Sequence, residues 1–308
     1  MKANNIHRFG SPEVIVFEET ERPHPGKDEV LVQVKASGVG PWDSWIREGN
    51  SVLPQPLPLT LGSDLSGVVE EVGTGVGDVK AGEEVFGVTN PQFIGANAEY
   101  AVASARMIAA KPKGVTHIEA ASMPVVAVTA SQMLFDHGGV GPDKTVLILG
   151  AAGNVGSYAV QLARAAGARV IASASRDQTD YVRSLGADRV FDGRAQGFSD
   201  DRQDVDVVID AVGGEAQAQA LQSLRPGGVL ISAVSQPDQT VANRLGVRAA
   251  FMLVEVTSSV LKSITQKLDA GELRTNVGTV LGLAELRRAH EMLDGLRPRK
   301  RGKIVLEG

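Results

Sequence analysis

LILGAAGNVGSYAVQ, residues 147–161, decides the fold. It overlaps the apolar run Thr145–Leu149, a short segment closed by glycine that reads as a buried strand. Beyond the glycines, Val155, Ala159, Leu162 and Ala166 recur at helical spacing, and Gly167 is a natural helix stop. A second apolar run, ARVIAS (168–173), follows at once. Strand, glycine turn, helix and strand together make the unit that cradles a dinucleotide pyrophosphate on a helix N-terminus. Ala151, Gly153 and Gly156 fill the three positions of the G-x-G-x-x-G pattern, with alanine in the first. Gly153 would let backbone approach phosphate, and Gly156 would let helix approach sheet. Gly150, Asn154 and Val155 complete the expected cradle. The other glycine-rich stretch, VGTGVGDVKAGEEV (72–85), has no helical period after Gly73, Gly75 and Gly77, and reads as a hairpin.

Working outward, residues 119–139 read as one apolar helix closed by glycine. Strands at TVLILG, ARVIAS, DRVFD (188–192), DVDVVIDAVG (204–213) and GGVLISAV (227–234) then alternate with helices. That succession marks a doubly wound parallel sheet, an α/β fold. Upstream, from Met1 to about Ala110, EVLVQVKASGV, LSGVVEEVG, EEVFGV and AEYAVA are short β-rich runs between turn residues, the texture of a β-barrel or sandwich. After AAFMLVEV come helices near 258–270 and 283–293, and a last strand KIVLEG. At 308 residues two domains are expected.

Composition narrows the function. Apolar residues make up 43% and charged residues 22%, and the net charge of −5 gives no general attraction to nucleic acid or anionic membranes. The basic cluster Arg297, Arg299, Lys300, Arg301 and Lys303 reads as a solvated turn before the last strand, with RNA or cofactor phosphate as the alternative. No apolar leader or membrane-length run is present, so a cytoplasmic protein is expected. There is no cysteine, and the five histidines show no paired ligand spacing, so no metal site is expected.

The cofactor's second phosphate is read at the end of the second strand, SASRDQ (173–178). An acidic residue there suits a ribose hydroxyl, whereas a basic one suits a 2′-phosphate. Ser173, Ser175 and Arg176 favour NADPH, and Tyr181 could add a hydroxyl. Asp177 is the NADH alternative, although Ser175 and Gln178 can form a capping box that places it in the first helical turn.

ASGVGPWDSWIREG, LPLTLGSDLSGVVEEVG, ANAEYAVA, TASQML, GAAGNVG, LGADRVFD, VIDAVGG, LRPGGVLIS and RGKIVLEG stand in the order found in one family. The chain resembles the zinc-independent quinone oxidoreductase (zeta-crystallin-like) branch of the medium-chain dehydrogenase/reductase superfamily. The resemblance implies a GroES-like β-barrel catalytic domain, 1–120 completed by 266–308, and a Rossmann domain, 121–265, with nicotinamide and substrate in the cleft between them. Zinc-dependent relatives carry a cysteine and a Gly-His-Glu where this chain reads GVGPWD and Gly62-Ser63-Asp64, so no zinc is implied. Without a Lewis acid, hydride would go to an acceptor already electrophilic by conjugation, a quinone or an α,β-unsaturated carbonyl. Gly40, Trp42, Trp45 and Ser51 would line the substrate pocket. Gly40 replaces a common asparagine, and the tryptophans suggest an apolar wall or plain packing. Asp43 reads as a loop-shaping partner, and Asp64 is the one candidate, a weak one, for a direct catalytic part. Thr129, Val212, Gly213, Ser232, Ala233 and the segment Phe251 to Val254 would meet the nicotinamide half. A homodimer through the VRAAFMLVEV strand follows by analogy. The alternatives are an enone reductase inactive on quinones, and a non-catalytic NADPH-binding sensor or structural protein.

Overall fold

The chain begins with a small antiparallel sheet that its polar sequence does not signal. The computed structural model describes residues 1–193 and 205–308. Strand β1 (Lys2–Ile6) pairs with β2 (Ile15–Glu19), and its Asn4 and Asn5 are buried with their NH2 groups bonded: Asn4 Nδ2 donates to Leu283 O at 2.9 Å and Asn5 Nδ2 to Glu18 Oε1 at 2.8 Å. Strand β3 (Glu29–Val39) is the long β-rich run. Helix α1 (Pro41–Glu48) follows, with proline at its first turn and Gly49 at φ +77° closing it. Then come β4 (Leu59–Thr60), on the second edge of β1, β5 (Asp64–Val72) and β6 (Glu84–Val88). The expected hairpin around Gly73–Gly77 is the antiparallel β5–β6 pair. Strands β7 (Tyr100–Ser104) and β8 (Ile108–Ala110) complete this stretch.

The apolar segment at 119–139 is not one helix. Helix α2 (His117–Ala121) is started by a Thr116–Glu119 capping box, Pro124 opens the separate α3 (Pro124–Ser131), and residues Gln132–His137 form a wider π-helical turn. Proline lacks the N–H and clashes with the preceding turn, so it starts a helix more readily than it continues one.

The alternating region folds as read. Strands β9 (Thr145–Leu149), β10 (Arg169–Ser173), β11 (Arg189–Phe191), β12 (Val205–Asp210), β13 (Leu224–Ser232) and β14 (Arg248–Phe251) form one parallel sheet in the order β11-β10-β9-β12-β13-β14. Helices α4 (Asn154–Ala165), α5 (Thr179–Ser184), α6 (Gly214–Leu221) and α7 (Gln239–Leu245) intervene. The order reverses between β9 and β12, which places the ligand crevice of such a sheet outside their carboxyl ends.

The tail returns to the first sheet. Helix α8 (Ser258–Asp269), β15 (Val277–Gly282), α9 (Leu286–Leu293) and β16 (Lys303–Glu307) end the chain. Strand β16 pairs antiparallel with β3 and parallel with β15, giving the order β15-β16-β3-β5-β6-β8, with β7 also on β3. Contacts divide the chain into one unit of Met1–Val125, Val256–Gly271 and Thr275–Gly308, and a second of Val126–Glu255 with Glu272–Arg274. In the first, Val30, Val32, Leu65, Val69 and Val85 form one core and Ile6, Ile46, Leu61, Leu286 and Ile304 another; in the second, Leu147, Leu149, Val208, Leu221 and Leu230 pack together. Among the described residues no helix is long and apolar enough to cross a membrane.

Candidate functional site

The turn between β9 and α4 shows why each glycine is there. Gly150 adopts φ +67°, so the tight turn assigned to the first glycine of the pattern falls one residue earlier, and Ala151 is tolerated and fully buried. A Cβ on Gly156 would overlap Gly150 O and lie 2.7 Å from Ala151 Cα, so helix and strand touch there. A Cβ on Gly153 would meet only Gly150 O, at 3.1 Å, leaving its outer side open. Gly153 is the N-cap of α4 and exposed, and the N–H groups of Asn154, Val155 and Gly156 have no acceptor within the helix. This is a cradle for an anion that backbone can approach closely, and its residues fit a dinucleotide pyrophosphate.

At the end of β10, Ser173 holds the same turn: its carbonyl accepts from Ala151 N at 3.0 Å and its Oγ from Gly150 N at 3.2 Å, leaving its own hydroxyl proton to donate. Ser175 precedes a single 3-10 turn, Arg176–Gln178, and Arg176 is exposed. The expected capping box does not form there. Ser175 makes no side-chain cap, and Gln178 Nε2 donates to Asp177 Oδ2 at 2.6 Å, so the helix starts as a 3-10 turn instead. Tyr181, in α5, is half-buried.

On the other side of the crevice, Val212 is exposed and Gly213 takes φ +77°. Ser232 is buried, and Ala233 N donates to Asp210 O at 3.1 Å. Thr129 is buried in α3. The segment Phe251–Val254 is fixed by a residue the sequence reading missed: Gln132 Nε2 donates to Glu255 O at 2.9 Å and its Oε1 accepts from Glu255 N at 3.1 Å. Gln132 lies inside the apolar TASQML stretch, and its polarity there was the available signal.

In the first unit, Gly40 and Trp42 are coupled. A Cβ on Gly40 would lie 2.6 Å from Trp42 Cζ2, so the indole folds back over the space a side chain at position 40 would fill. Trp42 Nε1 donates to Ser63 Oγ at 3.0 Å. Trp45 is 46% exposed, and Ser51 Oγ accepts from Leu53 N at 3.1 Å, shaping its own loop. Asp64 is fully buried: Oδ1 accepts from Val125 N at 3.0 Å and Oδ2 from Lys303 Nζ at 2.7 Å. Lys303 is therefore not part of the solvated basic turn. It is 1% exposed, and its ammonium also lies 4.1 Å from the Trp42 ring centroid.

Where zinc-dependent relatives supply thiolate and imidazole, this chain has Gly40, Ser63 and an Asp64 whose two oxygens are engaged by an ammonium and a backbone N–H. Among the described residues no group of three or more histidine, aspartate and glutamate side chains could hold a metal ion. Ser66, His117 and Glu84 stand in a row, with Ser66 Oγ 2.8 Å from His117 Nδ1 and His117 Nε2 3.2 Å from Glu84 Oε1. Ser66 is fully buried and donates to Val85 O, so the row presents no nucleophile to a substrate.

Burial pushes Asp43 up to about 7, against the pull of the Gly40 N–H and of Lys303. Asp64 is also raised by burial, with Lys303 opposing. In the same unit His290, held by Arg47 Nη1 at 2.9 Å, is lowered to about 3 by burial and by that guanidinium. A raised carboxyl takes stability away as pH climbs from its unfolded value to 7. A depressed histidine takes it away as pH falls from its unfolded value to 3. Over their shared window, about pH 4 to 6.5, the two slopes oppose, each at most about 1.4 kcal/mol per pH unit. Asp43→Asn keeps the acceptor for Gly40 N and removes one slope. The stability of Asp43→Asn in urea, taken relative to the parent, is expected to rise with pH across that window; parallel curves would refute the assignment.

Comparisons with known proteins identify the family. Residues 26–113 match the family described as alcohol dehydrogenase GroES-like domain, and residues 185–306 match the one described as zinc-binding dehydrogenase. The chain is 31% identical to NAD(P)H oxidoreductase RTN4IP1, mitochondrial, of Danio rerio, over 99% of this chain and 91% of that protein. It is 32% identical to the NADPH-dependent alkenal/one oxidoreductase, chloroplastic, of Arabidopsis thaliana, over 89% of this chain and 71% of that one. The solved quinone oxidoreductase of Coxiella burnetii superposes with a TM-score of 0.91 at 31% identity, covering 100% of this chain and 99% of that one.

Proposed function

Because the chain belongs to the quinone oxidoreductase (zeta-crystallin-like) branch of the medium-chain dehydrogenase/reductase superfamily, we propose that it is an NADPH-dependent, zinc-independent reductase of quinones or α,β-unsaturated carbonyls. The observation that carries the reading is the cradle of Gly150, Ala151, Gly153, Asn154, Val155 and Gly156 at the crevice of a doubly wound sheet. When bound, the cofactor supplies hydride from its nicotinamide ring. The N–H groups at the start of α4 hold the pyrophosphate, and Ser173, Ser175, Arg176 and Tyr181 take the 2′-phosphate. Thr129, Val212, Gly213, Ser232, Ala233 and the segment Phe251 to Val254 take the nicotinamide half. Gly40, Trp42, Trp45 and Ser51 form the acceptor's wall, and no residue is assigned as proton donor. With no residue assigned to polarise a carbonyl, the acceptor in this reading is one electrophilic through its own conjugation. Strand β14 ends the sheet order, and a homodimer across that edge belongs to the same proposal.

Steady-state oxidation of NADPH and NADH, side by side, against a para-quinone and several enones tests the reading. Turnover selective for NADPH supports it, and the preferred acceptor separates the quinone reading from the enone-only one. Absence of turnover despite tight cofactor binding would leave only a sensor or structural role. Arg176→Ala is expected to cut the NADPH-over-NADH preference in Kd by on the order of 10-fold, the size of one lost charge-assisted hydrogen bond. An unchanged ratio would hand the ribose to Asp177.

A further inference from the structure

We propose that Asp210 is a positioning residue for the nicotinamide half of the cofactor, setting the two loops that receive it without touching it. The inference rests on the cofactor reading above. A doubly wound sheet is built of two mononucleotide-binding halves, and the glycine fingerprint with the ribose-reading residue belongs to the adenosine half, here β9 to β11. The nicotinamide half is then β12 to β14. Asp210 ends β12 and is fully buried. Its Oδ1 accepts from Val212 N at 2.9 Å and Gly213 N at 2.8 Å, gripping a turn in which Gly213 and Gly214 stand at φ +77° and +60°. Its Oδ2 accepts from Ser232 Oγ at 2.7 Å and Gln217 Nε2 at 2.8 Å.

The constraint does not stop there. Ser232 Oγ accepts in turn from Val234 N and Ser235 N, both at 3.2 Å, and Gln217 Nε2 also donates to Ser235 O at 3.2 Å. One carboxylate thus ties the loop after β12, the loop after β13 and helix α6 into a single network. All four hydrogen bonds run toward its two oxygens, a pattern that wants an acceptor without protons. Asparagine would keep the grip on Val212 and Gly213 while turning an NH2 toward Gln217 and Ser232.

The test titrates NADPH and its adenosine-half fragment, 2′,5′-ADP, into wild type, Asp210→Ala, Asp210→Asn and Gln217→Met, with a thermal melt of each free protein. Asp210→Ala is expected to weaken NADPH by at least about 10-fold, the scale of losing an outer-shell support, while 2′,5′-ADP changes by less than about twofold. Asp210→Asn should fall between. Gln217→Met, which leaves the carboxylate and every residue assigned to the cofactor in place and cuts the link to Ser235 on the β13 loop, should weaken NADPH selectively too and decides the matter if Asp210→Ala fails to fold. Equal weakening of both ligands, or no weakening of NADPH in folded variants, overturns the proposal. Failure of wild type to bind either ligand overturns the cofactor reading itself, and this inference with it.

Discussion

Gly156→Ala is expected to destabilise the second unit by about 3 kcal/mol or more and to abolish cofactor binding, although it adds one methyl group. The new Cβ would overlap Gly150 O and crowd Ala151 Cα, backbone atoms of a turn already pinned by Ser173. Neither can rotate away as a side chain would, so α4 has to lift off β9. Eight of the twelve residues of α4 are buried, and lifting it unpacks Tyr158, Leu162 and their neighbours. Gly153→Val separates binding from folding. Its side chain projects from an exposed N-cap with only Gly150 O nearby, and the expected cost is about 1 kcal/mol, from a poorer cap. Cofactor affinity should nevertheless fall by on the order of 100-fold, because backbone no longer reaches the phosphate. Urea unfolding and NADPH titration of the two variants check this. A Gly153→Val protein that binds NADPH normally would put the cofactor elsewhere.

The second large effect is expected at the buried pair in the first unit. Lys303→Met leaves the Asp64 carboxylate in the interior with only the Val125 N–H, and breaking such a pair from one side costs about 3–5 kcal/mol. With the ammonium gone, Asp64 is raised further, so the deficit should grow as pH rises and shrink in acid. The double variant Lys303→Met with Asp64→Leu should recover most of the loss, since apolar groups of similar volume replace buried ion pairs at little cost. Unfolding midpoints across pH for the two singles and the double give the coupling. Additive losses would mean that the 2.7 Å contact holds nothing together.

Local rules in the sequence reveal most of the architecture and lose what depends on distant partners. The strand–turn–helix unit at Thr145–Ser173 could be read because its glycines, its helical period and its flanking strands all lie within one short stretch. Lys303 was read with its basic neighbours, and nothing local says that it alone turns inward. Its partner lies 239 positions away, joined by the β16–β3–β5 pairing. Strand β1 escaped because two of its four buried positions are asparagines, whose side-chain NH2 groups donate to a carbonyl and a carboxylate elsewhere. Pro124 is a local signal for the break between α2 and α3, hidden by the continuous apolar run around it. At the site, Gly156 brings the helix against the strand as its spacing assigns and Gly153 leaves its outer side open, whereas the left-handed turn falls on Gly150. Asp210 and Gln132 look like ordinary polar residues in apolar strings until the loops they hold are seen.

The most direct test of the account is a single turnover. Protein loaded with one equivalent of NADPH is mixed rapidly with a para-quinone, and separately with an enone, while the absorbance of the reduced nicotinamide is followed. The account predicts loss of that absorbance in one mixing or both, far faster than without protein, and its suppression in Gly153→Val. Bound NADPH that stays reduced in the presence of every acceptor would contradict it.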